Sequence, residues 1–166
     1  MLACTSPLAT DARALAGREL PAELSNARAM IVNEKEALLL TGASDAEAAA
    51  RRLAEQVPLA LVTLGPGGVV AAGAEGLVRV QGVRVEPVID TTGAGDLFTA
   101  AYVWADHWGA PLEERLRWAV LYASLSVRVA TATAGAVTLR ALLEEGAEHG
   151  LTSPVRQPSA AMKEDQ

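Results

Sequence analysis

The chain has a single cysteine, Cys4, so no disulfide can form within it. Its two histidines, His107 and His149, lie far apart in sequence, and with one cysteine they make no metal-ligand spacing. Aromatic residues are scarce, 4% of the total with one phenylalanine. Basic residues number 14 against 20 acidic ones, and the net charge of −6 argues against a nucleic acid or an anionic membrane as partner. No apolar run approaches the length of a membrane span. The stretch Met1–Thr10 lacks the basic region and long apolar core of a secretory signal, which makes the cytoplasm the default compartment. What is there is aliphatic: 51% of 166 residues are hydrophobic, mostly Ala, Val and Leu, enough for one domain with a real core.

Residues 1–17 read as a weakly ordered lead-in, 18–150 as one domain, and 151–166 as a disordered tail rich in Pro, Ser, Gln and charge. Within the domain, strands and helices alternate. Ala29–Val32 is a short apolar run consistent with a buried strand, and Glu34–Thr41 has helical spacing closed by Gly42. Ser44–Glu47 has the form of a capping box, opening a helix to about Gln56. Leu59–Leu64 is a second buried strand without alternation, as parallel strands covered on both faces read. Val69–Ala72 and Leu77–Val80 flank Gly73–Gly76 in a hairpin pattern, and Val83–Ile89 reads as a third principal strand. Helices are expected from Asp96 to Trp108, from Pro111 to about Ala130, and from a Thr138 cap to about His149. The sum is an α/β protein, with ligands gathered at the carboxyl ends of its strands.

The most informative segment runs from Val88 to Thr99: an extended stretch, a Gly93-Ala94-Gly95 turn, then a helical pattern. That order leaves free N–H groups at a helix N-terminus, a site for an anion and above all a phosphate. The glycines allow close approach of the backbone to such a ligand. Asp96 in the first turn could cap the helix, or could take a proton from a hydroxyl attacking phosphorus. Two rival phosphate motifs are excluded. A dinucleotide fingerprint needs a small residue where Phe98 stands, and a P-loop needs Gly-Lys-Ser/Thr, which follows neither Gly93–Asp96 nor Gly65–Gly68.

Asp90-Thr91-Thr92-Gly93-Ala94-Gly95-Asp96 resembles the C-terminal signature of the ribokinase-like (PfkB) carbohydrate and nucleoside kinases. Asn33-Glu34-Lys35-Glu36 resembles that family's Asn-x-x-Glu motif, and Thr63-Leu64-Gly65-Pro66-Gly67-Gly68 its Thr-x-Gly strand end and turn, in the family's order. The resemblance runs from about Arg18 to Glu145. It implies a ribokinase-like layered α/β/α fold with a mostly parallel sheet. It also implies ATP-dependent phosphoryl transfer to a hydroxyl of a small sugar or nucleoside, with Mg²⁺ as cofactor. By that resemblance the Gly93, Ala94 and Gly95 amides form the anion hole and Asp96 is the base. Asn33 and Glu36 help hold magnesium and its waters, against the simpler reading of a helix cap with a solvated acid. Thr63, Gly65 and Gly68 lie against the nucleotide phosphates, although Thr63 could simply end a strand. The adenine falls near Val120–Ser124 and Ala132–Val137, with Ala123 and Gly135 as contacts, but the usual Asn there is replaced by the stretch Val120-Leu121-Tyr122-Ala123. Some relatives bind a monovalent cation such as K⁺ near the positions of Asp90 and Thr92.

The matches are all to the C-terminal half of that family's members, which are roughly twice as long. The expectation is therefore a partial fold, lacking the N-terminal half, the lid and most acceptor-binding residues. Two further readings stand beside an active kinase: an inactive relative that binds nucleotide or a partner, and one half of a split kinase completed by another chain. Self-association or a complementing chain is expected on the same ground.

Overall fold

A computed structural model describes residues 2–4, with backbone alone, and 27–130 and 134–155. It divides into two compact units, Met1–Glu86 and Pro87–Gln166. Most of the expected lead-in and the tail from residue 156 lie outside the described residues.

Among the described residues the first unit is built on a five-stranded sheet in the order β1-β2-β3-β4-β5. The strands are β1 (Leu2–Cys4), β2 (Ala29–Asn33), β3 (Leu59–Thr63), β4 (Val69–Gly73) and β5 (Gly76–Val80). Strand β1 was not anticipated: it falls inside the expected lead-in and pairs parallel with β2, Leu2 opposite Ala29. Strands β2 and β3 are also parallel, whereas β3–β4 and β4–β5 are antiparallel. The sheet is thus mixed rather than mostly parallel. The difference comes from the β4–β5 hairpin, whose Gly73 and Gly76 stand opposite each other across a two-residue loop.

Helices α1 (Glu34–Thr41) and α2 (Ala46–Ala54) follow β2. Ala46, Ala49, Ala50 and Leu53 of α2 recur on one face and are buried with Met30, Val32, Ala60, Val62, Val70 and Ala72, which alternate along three strands. The other sheet face is buried too, Leu61, Val69 and Ala71 being 0% exposed. That accounts for the lack of apolar–polar alternation in β3 and β4. The cap of α2 is Asp45, not Ser44: its Oδ1 accepts the Ala48 N–H at 2.8 Å, and the Ser44 hydroxyl donates to Oδ2 at 3.0 Å. These bonds to the charged form hold the Asp45 carboxyl below its ordinary value, the Ala48 amide contributing most. Glu47, expected to close a capping box, instead meets Arg79 at 3.4 Å.

The second unit is helical: α3 (Ala94–His107), α4 (Leu112–Ser126) and α5 (Leu139–Glu148). Thr138 caps α5, accepting the Ala141 N–H at 3.2 Å, as the sequence implied. Helices α3 and α4 are joined by the Asp106–Arg115 ion pair at 2.6 Å and by Trp104 edge-on to Trp118 at 5.4 Å. Trp118 is fully buried, and Gly146 of α5 makes room for it, since a Cβ there would overlap the indole ring. Leu151 belongs to this packing rather than to a tail: it is buried and its N–H donates to Gly146 O at 2.8 Å.

The expected third strand does not form. Residues 81–90 join no strand, and Val88 and Ile89 are 61% and 57% exposed. Pro87 has no N–H to give a ladder. The Ile89 and Asp90 amides are directed instead to the carbonyl of Val127, at 2.8 and 3.3 Å. The same contact marks the end of α4, which stops at Ser126 with Val127 as its cap rather than running to Ala130.

Candidate functional site

In the first unit the ends of β2 and β3 bring Asn33 and Thr63 side by side, direct partners in the parallel register. Asn33 is the cap of α1: its Oδ1 accepts the Glu36 N–H at 2.9 Å, and Glu36 Oε2 accepts the Asn33 N–H at 3.1 Å. Both proposed magnesium-site residues therefore have a capping duty. It occupies one oxygen of Glu36; among the described residues nothing bonds the other. Thr63 donates its hydroxyl to Val32 O at 3.4 Å. Beyond it Gly65 opens a turn with φ 56°, and a Cβ there would meet nothing within 4 Å, so its outer side is open to a ligand. Gly68 is different. Its φ is 89° and a Cβ would overlap the Val80 carbonyl oxygen, so packing against the backbone after β5 explains this glycine without a nucleotide.

In the second unit the Asp90–Asp96 segment forms a turn leading into α3. Asp90 Oδ1 accepts the Thr92 N–H at 2.9 Å, and the Thr91 carbonyl accepts the Ala94 N–H at 3.3 Å. Gly93 is the cap, with φ 82° and ψ −4°, a conformation that only glycine adopts without strain. Asp90 and Thr92, expected as ligands of a monovalent cation, are thus bonded to each other in a turn contact.

The amides at this helix start are mostly open. Ala94 is engaged with Thr91, but among the described residues those of Gly93, Gly95 and Asp96 have no partner. A Cβ at Gly95 would meet nothing within 4 Å, so the side of the turn at Gly95 is uncrowded. Asp96 is the third residue of α3 and exposed; it makes no capping bond, and no hydrogen bond or ion pair reaches its carboxylate among the described residues. The helix start thus offers positive dipole, open donors and an uncommitted carboxylate in one turn, which suits an anion held beside a second group that gives up a proton.

The positions expected around adenine lie partly outside the described residues, at 131–133. Ala123 is half-buried on α4 and Gly135 is buried. Gly135 has its own packing reason, because an added Cβ would stand 2.6 Å from Ser126 O. One feature the sequence did not disclose is an apolar cleft of about 220 Å³ between Trp104, Tyr122, Val137 and Leu142. Its small-residue floor, Ala100 and Ala101, has no periodicity that separates a cleft from a core. Among the described residues no cluster of three or more His, Cys, Asp or Glu could hold a metal, and no helix is long and apolar enough to cross a membrane.

Against known proteins, the model of the pfkB family carbohydrate kinases matches residues 8–139. A cytidine kinase of Thermococcus kodakarensis is 36% identical over 103 residues, covering 60% of this chain and 37% of that protein. The structure of Arabidopsis thaliana ribokinase complexed with ribose and ATP superposes with a TM-score of 0.67 at 32% identity, covering 73% of this chain and 41% of that one. A putative ribokinase II of E. coli in complex with ATP and Mg²⁺ gives a TM-score of 0.68 at 26% identity, over 76% and 41%. The chain spans well under half the length of each of these relatives.

Proposed function

The chain belongs to the pfkB family of carbohydrate kinases, and from that premise we propose that it supplies the nucleotide-binding and catalytic part of an ATP-dependent transfer to a hydroxyl of a small sugar or nucleoside. The observation that carries this is the start of α3: open amides at Gly93, Gly95 and Asp96 with an uncommitted Asp96 carboxylate in the same turn. Asp96 would take the proton of the acceptor hydroxyl as its oxygen bonds to the γ-phosphorus and the bond to the β,γ-bridging oxygen breaks. The amides would hold the charge that gathers on the phosphoryl oxygens. No atom outside the helix backbone stands within 4 Å of where a Gly95 Cβ would be, which leaves room beside this turn for the phosphate the reading requires.

In the first unit Thr63 and Gly65 would contact the nucleotide, and Glu36 would reach magnesium through water with its unbonded oxygen. A donor set this sparse suits an ion that keeps most of its water and arrives on phosphates. When bound, Mg²⁺ supplies charge neutralisation on those phosphates.

The experiment is to bind MgATP to the purified chain and to follow labelled γ-phosphate onto a panel of sugars and nucleosides. Nucleotide binding with transfer to at least one acceptor supports the reading; failure to bind MgATP rejects it. A second reading is a nucleotide-binding module that transfers phosphate only when an acceptor site is supplied from outside these residues. Binding without transfer to any acceptor favours that reading or an inactive nucleotide-binding relative over an active kinase.

A further inference from the structure

The segment that leads into the phosphate turn has little to hold it. Residues 81–90 join no strand, and the Val88 and Ile89 side chains are 61% and 57% exposed. Just before the turn its backbone is tethered to the end of α4, where the Val127 carbonyl accepts the Ile89 and Asp90 amides. From there the bonds continue into α3. Asp90 Oδ1 takes the Thr92 N–H at 2.9 Å, Thr91 O takes the Ala94 N–H at 3.3 Å, and Gly93 O takes the Leu97 N–H at 3.1 Å.

The neighbouring residue on α4 carries a second attachment. Ser126 is 5% exposed and turns its hydroxyl back on its own helix, donating to Ala123 O at 2.8 Å. Gly135 packs directly on this residue, where a Cβ would stand 2.6 Å from Ser126 O and 2.9 Å from its Cα.

We propose that the Ser126–Val127 end of α4 is a positioning element for phosphoryl transfer: the Val127 carbonyl sets the place of the anion-binding turn, and the seat of Gly135 on Ser126 ties the 134–137 loop to that same point. The inference rests on the reading of Gly93–Asp96 as a phosphate site. Neither Val127 nor Gly135 needs to touch the phosphates; they act through the backbone that does. By linkage, an anion that orders the turn must also tighten the Val127 tether.

The test uses inorganic tripolyphosphate, which has no base to place, and the whole chain. Calorimetry compares the parent with Ile89→Ala, Ile89→Pro and Gly135→Ala. Ile89→Ala keeps the amide and should bind as the parent does. Ile89→Pro removes the N–H donor at an exposed position and should bind roughly five- to tenfold more weakly, the scale of one lost hydrogen bond. Gly135→Ala, which crowds Ser126, should weaken binding to a similar degree. On the parent alone, tripolyphosphate should slow hydrogen exchange at the Ile89 and Asp90 amides but not at Arg84. Binding by Ile89→Pro as tight as the parent's, equal losses for Ile89→Ala and Ile89→Pro, or unchanged exchange at Ile89 and Asp90 would each overturn the tether. Failure of the parent to bind tripolyphosphate would instead overturn the phosphate reading beneath it.

Discussion

Asn33 and Glu36 cap one another: the Asn33 side chain takes the Glu36 amide at 2.9 Å, and the Glu36 carboxylate takes the Asn33 amide at 3.1 Å. The pair therefore has a structural reason to exist that owes nothing to magnesium, and the two roles can be separated. Gln fills the third position of a capping box as well as Glu does. Glu36→Gln should melt within about 0.5 kcal/mol of the parent, the range of a substitution that breaks no feature. Asn33→Ala should lose about 0.5–2 kcal/mol of stability. If Glu36 also serves the metal, Glu36→Gln should weaken ATP binding in the presence of Mg²⁺ and leave it unchanged in EDTA. Equal affinity in both conditions would confine Glu36 to its cap.

Gly146 and Trp118 give a prediction opposite in sign to helix propensity. In an exposed helix Gly→Ala stabilises by about 1 kcal/mol. Here the added methyl would overlap the fully buried Trp118 ring, so Gly146→Ala should destabilise by about 1–3 kcal/mol. Urea unfolding followed by tryptophan fluorescence measures this directly, and a stabilised variant would show that the ring moves freely aside.

Asp45 supplies a pH dependence. Its folded value lies below the ordinary 3.8 because the Ala48 amide and the Ser44 hydroxyl bond its charged form. A group lowered on folding contributes stability that is complete above the unfolded value and fades as pH falls through the folded one. The stability gap between the parent and Asp45→Asn should be constant from neutral pH down to about 5 and should shrink below the unfolded value. A gap that widened on acidification would contradict the assigned cap.

Much of this was legible in the sequence because the signals were local. The Gly42 stop, the Thr138 cap, the hairpin around Gly73 and Gly76, and the helix after Gly93 each follow from residues within a few positions of one another. Long-range competition was not legible. Val83–Ile89 has the composition of a strand, yet Pro87 and the Val127 carbonyl hold it out of the sheet. The end of α4 was misplaced for the same reason, since nothing near Ser126 announces a bond to Ile89. At the candidate site, the order of residues placed the glycine turn and Asp96 at a helix start, which is where they stand, while the roles given to them are proposals. That Gly68 and Gly135 have packing reasons of their own depended on backbone approaches to Val80 and Ser126 that no spacing reveals.

The central claim is that Asp96 is the proton acceptor, and one comparison bears on it most directly. Asp96 makes no bond that Asn would lose among the described residues, so Asp96→Asn should fold and melt as the parent does. MgATP affinity should change little. The kcat for transfer to the acceptor, measured in whichever form transfers phosphate, the chain alone or completed by a second polypeptide, should fall by roughly two to four orders of magnitude, the usual share of a positioned base. An Asp96→Asn variant that transfers phosphate at the parent's rate would contradict the assignment.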